Sequence, residues 1–214
     1  MTPRWATGRV EAFSDGVFAI AITLLVLNLS IAPADVHDLW TALANEWPSY
    51  LAYVTSFLTI GAVWLAHHSL FVRLRFVDPA LMRINIVLLM VVSLLPFPTG
   101  LVADAIDVSR DSERAAVVVY GITLLVIDLL LLAASRYAAK HPELLFEEGE
   151  DGPATSSSAG WRGTARFIAY AVAIVAGVLI LPRLAALAYL AIAIREILSA
   201  RGEGRMVLRS TGAD

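Results

Sequence analysis

Cysteine is absent from the 214 residues, which excludes a disulfide framework, a thiolate nucleophile and a cysteine-ligated metal. Charge is scarce: Asp, Glu, Lys and Arg make up 16% of the chain, where an ordinary soluble domain has about 25%. Cations are not in excess either, since the net charge is −3. A phosphate backbone finds no basic surface here, and nucleic acid is not an expected partner. What fills the chain instead is apolar. Hydrophobic residues make up 58% of it, against about 45–50% in soluble domains. They are gathered into blocks of about 20 residues, the length that a helix rising 1.5 Å per residue needs to cross about 30 Å of hydrocarbon. This composition implies an all-α, polytopic membrane protein. The N-terminus has Arg4 and Arg9 before its apolar run but no small-residue cleavage site, so the segment is expected to stay attached.

Six transmembrane helices are expected, at about 10–31, 48–71, 81–103, 114–137, 163–181 and 184–199, in one domain covering 1–214. Pro182 separates the last two, because proline ends a helix at its predecessor. The cations then sort by side. The N-terminus, the 2–3 loop (Arg73, Arg75, Arg83), the 4–5 loop (Arg136, Lys140, Arg162, Arg166) and the C-terminus carry 13 of the 16 Lys and Arg residues. Lys and Arg accumulate in cytoplasmic loops, so both termini are expected on that side. Residues 140–161 read as a flexible cytoplasmic linker, acidic from Glu147 and then serine-rich.

Polar residues inside the apolar blocks are few, and their insertion cost makes them functional candidates. Ser14 and Asp15 lie one to two turns inside the first span; Trp64, His67 and His68 lie at the matching depth of the antiparallel second span, and Asn85 at that level in the third. At 100° per residue, Trp64, His67 and His68 share a face about 100° wide that suits a carboxylate or hydroxyl from a neighbour. A buried packing cluster and a metal site on His67, His68 and Asp15 are both formally available, but adjacent histidines diverge by 100° and no third ligand is spaced to help. The other face of the first span carries Gly16, Ile20, Thr23 and Leu27 within about 60° of one another, turned away from Ser14 and Asp15. It can face lipid or a symmetry axis. Asp128, midway along the fourth span, suits a proton relay or a paired acceptor.

Taken together, Arg9-x-x-x-Phe13-Ser14-Asp15 in the first span, Trp64-x-x-His67-His68 in the second and Leu94-Leu95-Pro96-Phe97-Pro98-Thr99 in the third resemble the signature of the endosomal and lysosomal potassium channels, the transmembrane protein 175 family, in its bacterial branch. The resemblance covers the first three spans. It implies a homotetramer with the first helix of each subunit lining a central pore, and no Thr-Val-Gly-Tyr-Gly carbonyl filter, which this sequence lacks. It also implies an apolar constriction at Ile20, with Thr23 and Leu27 as the next layers on the same face. Arg9, Phe13, Ser14, Asp15, Trp64, His67, His68 and Asn85 become the motif and helix-packing network that supports the pore helix.

The function so implied is passive, potassium-permeable cation conduction with modest K+/Na+ selectivity. The chain is then not an enzyme, holds no cofactor beyond permeant K+ ions, and has as partners itself, the bilayer and monovalent cations. A bacterial member would be a multi-pass protein of the plasma membrane. Two further readings remain at this point. A proton-coupled secondary transporter is favoured by Asp128 and by a faint inverted repeat, Ile22–Leu29 against Ile122–Leu129. An intramembrane metal hydrolase would use His67, His68 and Asp15.

Overall fold

The computed structural model describes residues 5–31, 37–106, 108–146, 172 and 187–198. Among these, four spans are long and apolar enough to cross a membrane: Thr7–Asn28, Trp47–Phe71, Pro79–Ala105 and Arg110–Lys140. The first comprises α1 (Thr7–Leu24) and a 3₁₀ turn, Leu25–Asn28. A short helix, α2 (Leu39–Asn45), leads into α3 (Trp47–Phe71). There Trp40 and Trp47 stand exposed, as aromatic residues do at a membrane–water interface. The third span is divided into α4 (Pro79–Leu94) and α5 (Pro96–Ala105), and the fourth is α6 (Arg110–Lys140). Of the expected sixth span, residues 187–198 are described and are helical; the expected fifth span at 163–181 lies outside the described residues except at position 172.

Local chemistry explains the boundaries. Asp78 caps α4 by accepting from Leu81 N–H at 2.8 Å, with Pro79 in the first turn, where its missing N–H costs nothing. Ser109 caps α6 by accepting from Ser112 N–H at 3.1 Å, and Asp111 and Glu113 follow in the first turn. The third span, expected as one helix over 81–103, breaks at Leu95. Neither Pro96 nor Pro98 has an N–H to continue the ladder, and Leu95 N–H instead closes a tighter bond to Val92 O at 3.1 Å.

The helices pack with α1 against α3 and α4, α4 against α6, and α5 against α3 and α6. Phe18 and Ala21 of α1 and Leu25 of the 3₁₀ turn enter a central core with Ile60 and Val63 of α3, Leu88 and Val92 of α4, and Tyr120, Leu124 and Ile127 of α6. Tyr189 closes that core from the 187–198 segment, its ring 5.4 Å from Tyr120. The buried face of α3 carries small side chains such as Ser49, Ala52, Ser56 and Thr59, which allow close helix approach where lipid removes the hydrophobic driving force.

The Arg9 end of the bundle has structure that an all-helical reading does not contain. A two-residue strand, β1 (Trp5–Ala6), pairs antiparallel with β2 (Phe76–Val77), and Leu74 bridges Leu145. The linker expected from residue 140 is therefore folded as far as 146: Pro142–Leu144 forms a 3₁₀ turn with Leu144 buried beside Leu74 and Val77. Tyr137 adds a clasp, its hydroxyl donating to Asp78 Oδ2 at 2.5 Å.

Partial desolvation pushes the Asp78 carboxyl up, but the Tyr137 hydroxyl and the Leu81 N–H outweigh it and hold the group below its ordinary value of 3.8. A depressed carboxyl stabilises the fold fully above its unfolded value and loses that contribution as pH falls through the lowered range. Tyr137→Phe is accordingly expected to lower thermal stability at pH 7 by up to about 1 kcal/mol. The gap to the wild type should close as the pH of a melting series drops below 3.8; a pH-independent gap would show that the clasp acts by packing alone.

A polar ladder and an open face on the first helix

The polar side chains of α1 meet α3 and α4 in two sets. The first is a ladder across the antiparallel α1–α3 pair. Trp64 Nε1 donates to Asp15 Oδ1 at 2.8 Å, and one turn further along, His68 Nδ1 lies 2.8 Å from Glu11 Oε1. Both pairs use an i,i+4 spacing on each helix, so a single register satisfies both. The Trp64 and His68 rings stack at 5.6 Å between centroids, 18° apart.

The second set is a directed chain of donors in the fully buried layer behind the ladder. His67 Nε2 donates to Asn85 Oδ1 at 2.9 Å, Asn85 Nδ2 to Ser14 Oγ at 3.0 Å, and Ser14 Oγ to Val10 O at 2.8 Å. With the Asn85 carboxamide oriented this way, His67 carries its proton on Nε2. The His67 ring is held by Phe71, stacked at 4.2 Å, and Phe18, tilted at 5.4 Å.

Five of the expected network residues are thus joined to α1 or each other as donors and acceptors: Asp15 with Trp64, and Ser14 with Asn85 and His67. His68 is joined as well, but to Glu11, a residue the motif reading passed over. Two others stand elsewhere. Arg9 and Phe13 are exposed, Phe13 at 63%, because at about 100° per residue their positions fall on the side of α1 that carries Gly16 and Ile20. Asp15, His67 and His68 do not converge on a common point; each is turned to a different partner, and among the described residues no group of three potential ligands could hold a metal ion. Asp128 is buried on α6.

The side of α1 opposite the ladder is open. Ile20 is 61% and Leu27 71% exposed, Thr23 is exposed beside them, and a Cβ on Gly16 would meet nothing within 4 Å. Only 28% of the first span is buried, against 44–50% of the other three. The exposed Thr23 hydroxyl donates back to Ile20 O at 2.8 Å, which leaves its oxygen free to accept.

Beyond the ladder, a hydroxyl cluster joins the far halves of α3, α5 and α6. Thr99 Oγ1 donates to Leu95 O at 2.8 Å and lies 2.7 Å from Ser56 Oγ, which is 3.0 Å from Tyr120 OH. Since the Thr99 proton is spent on Leu95 O, Ser56 must donate to Thr99, and Tyr120 to Ser56.

Deleting Asn85 should be the most damaging single change to the ladder region. Asn85→Ala leaves the buried His67 Nε2–H without a partner, at about 1–3 kcal/mol, and takes from Ser14 Oγ the donor it accepts from, although Ser14 keeps its own bond to Val10 O. Loss of the assembled, folded species in detergent is expected, whereas Trp64→Phe, which deletes one N–H, should cost about 1 kcal/mol. If Asn85→Ala melts no lower than Trp64→Phe, the donor chain does not hold the bundle together.

The region containing both polar sets and the open face is also the region shared with known proteins. A family model described as the endosomal/lysosomal potassium channel TMEM175 matches residues 9–96. A potassium channel of Streptomyces collinus is 44% identical over 153 residues, which span 71% of this chain and 73% of that protein. The human endosomal/lysosomal proton channel TMEM175 is 44% identical over 97 residues, 41% of this chain but 19% of that longer protein. The crystal structure of a lysosomal potassium-selective channel TMEM175 homologue from Chamaesiphon minutus matches with a TM-score of 0.77 at 33% identity, covering 91% of this chain and 97% of that one. With a relative this similar over nearly three quarters of its length, and with a fold that matches over nine tenths of the chain, the chain belongs to the TMEM175 potassium channel family.

Proposed function

We propose that the chain is the subunit of a potassium-permeable cation channel, a homotetramer of six-helix subunits in which α1 of each lines a central pore. The observation that carries this reading is the division of α1. Its polar residues are turned inward to α3 and α4, so the helix cannot rotate without stripping them of partners. That fixes Gly16, Ile20, Thr23 and Leu27 outward, in an apolar stripe on the barest of the four described spans. Relatives bearing the name potassium channel support it.

Four copies of Ile20 around an axis form an apolar constriction, and Thr23 and Leu27 follow as the next layers. A ring of this kind shuts by dewetting and opens on a small dilation or rotation of α1. It offers no oxygens to replace a hydration shell, so discrimination of K+ from Na+ rests on their different dehydration costs, aided by the Thr23 hydroxyl oxygen in the next layer. Modest selectivity follows. The ladder residues act as supports and not as ion ligands, because their polar atoms are occupied on the far side of α1. Arg9, at the cation-rich end of the bundle, and the sorting of Lys and Arg support cytoplasmic termini, and the bacterial relatives support a multi-pass protein of the plasma membrane.

Reconstitution tests the reading directly. Liposomes containing the protein should pass K+ down its gradient to the Nernst potential, and pass Na+ more slowly, with no dependence on a proton gradient. Flux that stops when the proton gradient is collapsed would replace the channel by a proton-coupled transporter. Ile20→Asn should wet the constriction and raise the leak at least severalfold; wild-type flux from that variant would remove Ile20 from the gate.

A further inference from the structure

The distal end of α1 departs from α-helical geometry. Over Leu25–Asn28 the backbone tightens into a 3₁₀ turn, whose three-residue repeat aligns side chains at i and i+3. Asn28 therefore eclipses Leu25, which is fully buried, and shares its direction toward α3 and α5. There the Asn28 Nδ2 donates to Pro96 O at 3.0 Å across 68 positions of sequence. Its Oδ1 lies 3.1 Å from where a Cβ on Gly100 would stand, so the carboxamide lies directly on the backbone of α5, and any larger residue at position 100 must displace it. The segment that receives it is itself anchored, by the Tyr120–Ser56–Thr99 hydroxyl chain, to α6 and α3.

We propose that Asn28, seated on Pro96 and Gly100, is a positioning residue for the outer pore layer and sets the rotation of Leu27 relative to Ile20 and Thr23. The proposal rests on the reading of α1 as the pore helix. A 3₁₀ turn advances about 120° per residue and an α-helix about 100°, so over the three steps from Leu25 to Asn28 the two differ by about 60° and by about 1.5 Å in length. An α-helical continuation would carry Asn28 off Pro96. The hydrogen bond and the glycine contact hold the tighter turn, and with it the direction in which Leu27, 71% exposed, meets its symmetry mates. The kinked third span thereby governs the width of a pore layer to which it contributes no side chain.

The absence of native cysteine makes an introduced thiol unique. Leu27→Cys in reconstituted protein should be blocked by a cationic methanethiosulfonate reagent, with the K+ flux falling as the thiol reacts. Adding Asn28→Ala should change the blocking rate about two- to tenfold, the population change that one net hydrogen bond is worth, and should shift the K+/Na+ permeability ratio of the unmodified protein. Gly100→Ala keeps the carboxamide but displaces it, and should move both readouts in the same direction by less. Melting of the oligomer is followed alongside, since a purely structural Asn28 would lower stability and leave permeability ratio and blocking rate unchanged in both variants; that result overturns the proposal. A Leu27→Cys protein that conducts and is never blocked removes Leu27 from the pore, and overturns both the pore reading and the inference built on it.

Discussion

A polar side chain in hydrocarbon must find a partner or carry its full desolvation cost, and on α1 this constraint selects a single orientation. Ser14, Asp15 and Glu11 all lie on one side of the helix, and all three are answered from α3 and α4. Rotating α1 by one residue, about 100°, would take all three away from their partners together. At about 1–3 kcal/mol for the stranded Ser14 and Asp15 and less for the exposed Glu11–His68 pair, that exceeds anything the apolar stripe could gain, because in a bilayer Ile20 and Leu27 are as well solvated by lipid as by protein. The polar face decides, and the apolar face takes the direction left to it.

The helix is held along its whole length by different means. At its start, β1 pairs with β2 and ties the chain entering α1 to the turn between α3 and α4. Along its middle, Phe18 and Ala21 are buried against the bundle. At its far end the 3₁₀ turn rests on α5. These contacts all lie on one side. A helix anchored so thoroughly behind and left bare in front is suited to small motions only, a tilt or a slight rotation, since a larger one breaks several contacts at once. The constriction proposed at Ile20 would need no more than that, since a hydrophobic ring gates by dewetting.

Much of this was legible in the sequence because membrane-spanning helices declare themselves through length and through isolated polar residues. The first two spans and the fourth, the two faces of α1, and the meeting of Ser14 and Asp15 with Trp64, His67 and Asn85 all follow from 3.6-residue periodicity and depth. The misses have physical causes. Glu11 is no part of the motif, although its i,i+4 relation to Asp15 matches that of His68 to Trp64 and is the signal that pairs them. Phe13 and Arg9 were grouped with their neighbours in the motif, whereas three-dimensional adjacency on a helix follows angle and not sequence distance. The break at Leu95 needed only the rule that proline cannot donate; the long apolar run concealed it. Asn28, Ser56 and Tyr120 gave no pattern, and Thr99, though inside the third-span motif, gave no partner, since only packing brings these polar residues together across helices. The strand pair and the fold of 141–146 rest on two to six residues, too few for any periodicity to show.

The distribution of matched sequence adds a last step. The family match, residues 9–96, takes in α1, α3 and α4 with every partner of the ladder and the donor chain, and ends at the proline where the third span breaks. What lies beyond, α5 and α6, contacts these helices chiefly through apolar surface and the hydroxyl cluster. Apolar contact tolerates exchange of one aliphatic side chain for another at modest cost, while a hydrogen bond between two particular atoms does not. The family match over 9–96 thus takes in the part of the bundle where polar atoms must meet polar atoms in order to aim the first helix.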